Sequence, residues 1–230
     1  MNKKIQTVRN LTQLAFFSLL FTGYFMKVKA IFALLILLSF ITGNFFCGWV
    51  CPYGSAQDFF GAIGDKIFKR KYKMPQSIQR YLKFSRYIIM LLTLIGVGDV
   101  IFGLVNSREV FMSIGENVSK VTISVSLIIM VSFLLISMLF ERPFCNYLCI
   151  DAVKFAVPSL TKVFTIKRDK ISCINCKRCD KGCPMNISIS CKNNIRSSQC
   201  INCFKCLSTC PVKSTLSYGK VKISFKKDNK

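Results

Sequence analysis

Histidine is missing from all 230 residues. Its absence excludes bis-histidine haem, histidine-ligated zinc, Rieske centres and any imidazole-based acid–base catalysis within this chain. Acidic side chains are scarce: ten Asp and Glu stand against 33 Lys and Arg, for a formal net charge of +23. Such a basic excess suits nucleic acid, anionic lipid or acidic proteins. No DNA-reading motif accompanies it, so no nucleic-acid partner is expected. The start, MNKKIQTVRN, is basic like the head of a signal peptide, yet no small-residue cleavage site follows the first oily run. It reads as a retained anchor. The thirteen cysteines are then expected in a reducing compartment, as thiols or metal ligands and not as disulfides.

Apolar residues are abundant, at 52% of the chain. Four oily runs, at roughly 11–26, 30–46, 87–105 and 121–140, approach the ~20 apolar residues of a spanning helix. Lys and Arg concentrate at the start (Lys3, Lys4, Arg9), in the 52–86 segment and after Glu141. The two remaining loops carry only Lys27 and Lys29, then Arg108 and Lys120. The positive-inside rule puts both termini and the 52–86 loop on the cytoplasmic side of the cell's inner membrane. Asp99, inside the third run, is a candidate for proton uptake, or simply reaches water.

The strongest signal lies beyond Lys170. CINCKRCDKGCP places Cys173, Cys176, Cys179 and Cys183 before Pro184, and CINCFKCLSTCP places Cys200, Cys203, Cys206 and Cys210 before Pro211. The pattern C-x2-C-x2-C-x3-C-P, used twice, is the two-cluster ferredoxin run, in which the fourth cysteine serves the other cluster. Cys173, Cys176, Cys179 and Cys210 are therefore expected to hold one [4Fe–4S] cluster, and Cys200, Cys203, Cys206 and Cys183 the second. All-cysteine zinc sites are the rival, disfavoured by two complete runs that both end in proline. Cys191 is left over and reads as a spare buried thiol. The fold class expected is a mostly α membrane protein: about four transmembrane helices in residues 1–150, then a small α+β two-cluster ferredoxin domain in residues 151–230.

Four cysteines remain, as two C-x3-C pairs: Cys47 with Cys51, and Cys145 with Cys149. Both follow an oily run on the side expected to carry the ferredoxin unit. Three readings stay open: a third [4Fe–4S] cluster, two reducible thiol pairs, or buried packing residues. FCGWVCPYGSAQD and RPFCNYLC, followed by the two ferredoxin runs, resemble the membrane-bound polyferredoxins of the NapH/NosR type. That family includes a quinol-dehydrogenase subunit of nitrate reduction, a regulator of nitrous-oxide reduction and an oxidase-assembly protein implicated in copper handling. The resemblance runs from about Phe45 to Leu216. It implies a small bundle of membrane helices with two C-x3-C motifs and a cytoplasmic ferredoxin domain. Arg142 matches an arginine that commonly precedes the second pair. One departure stands out: Ile150 follows Cys149 where the family carries proline.

The resemblance implies electron transfer between quinol, flavin or soluble carriers and a partner. Nothing in the chain reads as a catalytic base, so an electron-transfer subunit is expected rather than a complete enzyme. Its partners would be membrane lipid, quinone, and an acidic flavodoxin, ferredoxin or reductase subunit drawn by the basic surface. The alternative is a redox or copper sensor, or an assembly factor, that uses the C-x3-C thiols.

Overall fold

The computed structural model describes residues 2–20, 29–68, 72–95, 125–212 and 214–220. Helices dominate: α1 (Asn2–Leu20), α2 (Lys29–Thr42), α3 (Pro52–Phe68), α4 (Gln76–Leu82), α5 (Ser85–Leu94), α6 (Val125–Ile136), α7 (Pro143–Tyr147), α8 (Ile150–Ala156), α9 (Arg178–Lys181) and α10 (Lys205–Thr209). Strands β1 (Phe164–Arg168) and β2 (Leu216–Lys220) form one antiparallel ribbon, with Phe164 opposite Lys220 and Arg168 opposite Leu216.

The expectation of four transmembrane helices is overturned. Among the described residues, no helix is long and apolar enough to cross a membrane. Its 14 residues give α2 a length of about 21 Å at 1.5 Å per residue, short of the ~30 Å of a bilayer core. Helices α5 and α6 hold ten and 12 residues. α1 reaches 19, but it starts in Asn-Lys-Lys and turns Arg9 and Gln13 into the protein interior. The 30–46 run is cut at Gly43, whose φ of +85° supplies the left-handed residue that ends many helices; its N–H bonds the Ser39 carbonyl at 3.0 Å. Phe45 and Phe46 belong to the turn that follows. Residues 21–26, 96–105 and 121–124 of the other runs lie outside the described residues, as do Asp99, Arg108 and Lys120.

The ferredoxin-like half is built around the ribbon. Ile166 on β1 packs in one core with Met185, Ile187, Ile189, Ile195 and Ile201, all under 9% exposed. The first two helices fold onto this half. α1 packs on α10 and α3, and α2 packs on the 3-10 turn Pro158–Leu160 and on β1. The Asn202 side chain and the Tyr218 hydroxyl both donate to the Thr42 carbonyl, at 2.8 and 2.9 Å, so the end of α2 is fastened to both the second cysteine run and β2.

Candidate iron-sulfur centres

The two ferredoxin runs fold into the same loop. Asn175 and Lys177 in the first take φ of 53° and 55°; Asn202 and Phe204, 27 positions later, take 47° and 54°. Left-handed residues at such turns aim backbone N–H groups toward one concave side, the nest arrangement that favours anions. Cys173, Cys176, Cys179 and Cys210 line one cavity, with about 370 Å³ of empty space. Cys183, Cys200, Cys203 and Cys206 line the other, with about 330 Å³. In each, the fourth cysteine of one run closes the cavity of the other.

These cavities fit an iron-sulfur cluster on the chemistry of their donors. Burial pushes the Cys183 thiol up to about 12, against N–H groups of Ile187 and Met185, and pushes Cys206 well above the usual thiol range. Burial also raises Cys179, to about 11. Cys173 is lowered, first by the Asn175 N–H and then by the Arg168 guanidinium, whose Nη1 lies 3.4 Å from Sγ. Buried sulfur of this kind is held as thiolate when a bound metal supplies positive charge. Each cavity gathers four cysteines, three from one run and one from the other, which is the donor set of a [4Fe–4S] cluster.

The remaining four cysteines also come together. Cys47, Cys51, Cys145 and Cys149 are all buried, and Cys145 and Cys149 each lie within electrostatic reach of Cys47 and Cys51. Burial raises both Cys145 and Cys149. The two pairs are built alike. The Cys51 N–H bonds the Phe46 carbonyl at 2.9 Å, and the Cys149 N–H bonds the Phe144 carbonyl at 3.1 Å, in each case five residues back. Cys51 (φ −63°, ψ 114°) and Cys149 (φ −68°, ψ 113°) then start a helix with Pro52 and Ile150 respectively. Ile150 in place of proline therefore leaves the turn unchanged.

This quartet abuts the second run. Gly48 touches the Ile201 backbone, where a β-carbon would come within 2.2 Å of the Ile201 carbonyl oxygen. Trp49 Nε1 donates to the Asn202 carbonyl at 3.0 Å, and Gln6 Nε2 to that of Cys203 at 2.9 Å. Beneath lies a buried ion cluster. Arg142 grips Asp58 through Nε and Nη2, at 2.7 and 2.6 Å, and its Nη1 donates to the Cys47 carbonyl at 2.6 Å. Arg9 pairs with the same carboxylate and donates to the Gly48 carbonyl at 3.0 Å. Asp58 is held below the usual carboxylate range: the Arg142 and Arg9 charges outweigh burial, which acts the other way. On the far side, Lys73 donates to the Asp180 and Cys183 carbonyls, both at 2.9 Å.

Arg142 was thus flagged in the sequence, and the structure places it against the first pair. Asp58, Arg9, Gly48, Asn202 and Lys73 were not. Only Asp58 carried a signal, seven residues and two helical turns beyond Cys51 in a chain of ten acids. Cys191, expected to be buried, is exposed.

Two family descriptions match the chain: a 4Fe-4S binding domain over residues 28–75 and 123–149, and a 4Fe-4S dicluster domain over residues 165–211. The first spans all four C-x3-C cysteines. An uncharacterized protein of Methanocaldococcus jannaschii is 28% identical over 81% of this chain and 77% of its own length. YccM of Escherichia coli, named provisionally for electron transport, is 30% identical over 86% of this chain and 58% of its own length. The regulatory protein NosR of Pseudomonas aeruginosa is 24% identical over 60% of this chain but only 20% of its own length. No solved structure matches. With duplicated ferredoxin runs, paired C-x3-C turns and these relatives, the chain belongs to the 4Fe–4S-binding polyferredoxin family of the NapH/NosR type, and its cofactors are [4Fe–4S] clusters.

Proposed function

We propose that the chain is a three-site electron relay. Cys173, Cys176, Cys179 and Cys210 hold one cluster, Cys200, Cys203, Cys206 and Cys183 a second, and Cys47, Cys51, Cys145 and Cys149 a third. [4Fe–4S] clusters supply one-electron chemistry over a wide range of potentials. The chain's residues do the rest. They exclude water from two of the sites, direct N–H groups at sulfur, and hold the quartet against the second run. The observation that carries the reading is the seam at Gly48, where quartet and second run meet backbone to backbone.

The basic surface supports an acidic carrier protein as one redox partner, through faster encounter. The exposed apolar face of α2, with Leu34, Leu37, Leu38 and Ile41 at 49–64% exposure, supports attachment at the cytoplasmic face of the cell membrane, close to a quinone pool or a membrane-bound acceptor. The reading makes the chain a subunit that passes electrons rather than a complete enzyme.

The test is iron and sulfide analysis of anaerobically purified full-length protein. Wild type should hold about twelve of each, and Cys47→Ser and Cys149→Ser about eight. Cys183→Ser should disturb the site of Cys200, Cys203 and Cys206 before that of its own run. Iron near eight in wild type and both quartet variants overturns the third site, and stoichiometric zinc without sulfide overturns the relay.

A further inference from the structure

A second kind of cavity lies between the start of α5 and the segment that leads into the second cysteine run. Lys83, Arg86, Tyr87, Ser197, Ser198 and Gln199 contribute to its walls, and among the described residues no carboxylate does. It is open to solvent and holds about 670 Å³ of empty space, roughly twice that of either ferredoxin cavity. Arg86 is only 1% exposed, yet no Asp or Glu among the described residues forms an ion pair with it, and its Nε has no hydrogen-bond partner there. Its Nη2 reaches the Tyr87 hydroxyl at 3.4 Å, and that hydroxyl reaches Ser198 Oγ at 3.1 Å. Gln199, 7% exposed, leaves Nε2 equally unused. The Lys83 ammonium, 5.0 Å over the Phe84 ring, adds a second positive charge.

A buried guanidinium without a counter-charge is strongly unfavourable, and so is a buried N–H without an acceptor. Both residues contribute to the walls of the same open space, next to hydroxyls that adapt to either role. The group that would satisfy them all is anionic and rich in acceptors, and it takes hydrogen bonds from several directions at once. We propose that this cavity binds a phosphate group, with Arg86 and Gln199 as its buried donors and Lys83 as its outer cation. Guanidinium matches phosphate geometry with two parallel donors. Phosphate chemistry reaches the site from two sources, the free ion and a phospholipid headgroup. The second is suggested by Ile88, Leu91 and Leu94, 57–72% exposed along α5 beyond the cavity, where acyl chains would lie. Gln199 immediately precedes Cys200, so the bound anion would sit beside the second cluster site.

The experiment uses cluster-loaded full-length protein, with iron and sulfide measured on every sample so that loss of the clusters is told apart from loss of this site. Binding of inorganic phosphate is read by equilibrium dialysis and ³¹P line broadening. Binding to the headgroup is read by flotation with phosphatidylglycerol vesicles against phosphatidylcholine vesicles. Arg86→Gln should weaken phosphate or phosphatidylglycerol binding by about tenfold or more, as expected for lost charge-assisted bonds. Lys83→Gln and Ser198→Ala, at less buried positions, should weaken it by about two- to fivefold while the fold is kept. Response to phosphate alone identifies the free ion, and preference for phosphatidylglycerol alone the headgroup. No binding of either, or binding that all three variants leave unchanged, overturns the proposal.

Discussion

Gly48→Ala tests the seam on which the relay depends. A methyl group there would sit 2.2 Å from the Ile201 carbonyl oxygen and 3.6 Å from the Cys203 nitrogen, whereas ordinary contact begins at 3.4 Å. Backbone lies on both sides, so no side chain can swing away, and the two loops must part by about 1.2 Å. Overpacking of this kind costs about 1–3 kcal/mol. The hydrogen bonds of Trp49 to Asn202 and of Gln6 to Cys203 cross the same seam, and each contributes about 1 kcal/mol. A loss of about 3 kcal/mol lowers the Tm of a chain this long by about 6–12 °C. Thermal unfolding by circular dichroism measures it, and rapid-mixing reduction should show slower electron exchange between quartet and second run. The control is Gly219→Ala, whose new methyl would meet only Lys167 Nζ at 3.9 Å, so its stability should change by about 0.5 kcal/mol or less. If Gly48→Ala melts and transfers electrons like the control, the seam is not where the two sites join.

Asp58→Asn leaves two buried guanidinium groups without their carboxylate and should cost about 3–5 kcal/mol in urea unfolding. Because the folded Asp58 carboxyl is held below its unfolded value of about 3.9, its contribution is present above about pH 4 and is lost as pH falls below it. The gap in urea midpoint between wild type and Asp58→Asn should therefore narrow in acid; a gap that does not depend on pH refutes the pairing. Ile150→Pro should be tolerated to within about 1 kcal/mol by the same measurement, since Ile150 opens α8 and Cys149 already has the extended backbone that precedes a proline. Loss of folding there would show that the two C-x3-C turns are not equivalent.

What the sequence made legible was local. Each ferredoxin run is a loop whose cysteines sit three or four residues apart, so spacing alone marks it, and the matching left-handed positions at Asn175 and Asn202 follow from that repeat. The oily runs were misread because hydropathy counts apolar residues without seeing where a helix stops. Gly43 ends α2 at 14 residues, and α1 spends one face on Arg9 and Gln13. The Arg9–Asp58–Arg142 cluster joins positions 49 and 84 apart, and no local pattern announces such a meeting. The missing proline after Cys149 looked like a break in symmetry. Backbone geometry shows that the turn is set by the bond from the second cysteine to the residue before the first, a bond that either residue at position 150 permits.

The two ferredoxin sites share a loop but not an environment, and that difference orders their potentials. Cys183, Cys200, Cys203 and Cys206 are all buried, whereas Cys176 is exposed and Cys173, Cys179 and Cys210 are partly so. Burial disfavours the added negative charge of a reduced cluster, and access to water favours it. Arg168 adds to the contrast, because its guanidinium touches Cys173 in the outer site at 3.4 Å. Arg9 and Arg142 work the other way, since both lie within electrostatic reach of Cys203; but Asp58 stands between them, so the trio brings one net positive charge to the inner site. Arg142 also faces Cys145, so that charge is shared with the quartet. The exposed site should thus be the first to reduce as potential falls, and the buried pair of sites should follow closely together. A redox titration followed by electron paramagnetic resonance, with Arg168→Gln to identify the outer signal, reads the order directly. If the signal moved by Arg168→Gln is the last to appear, solvent exposure does not set the order and the argument fails.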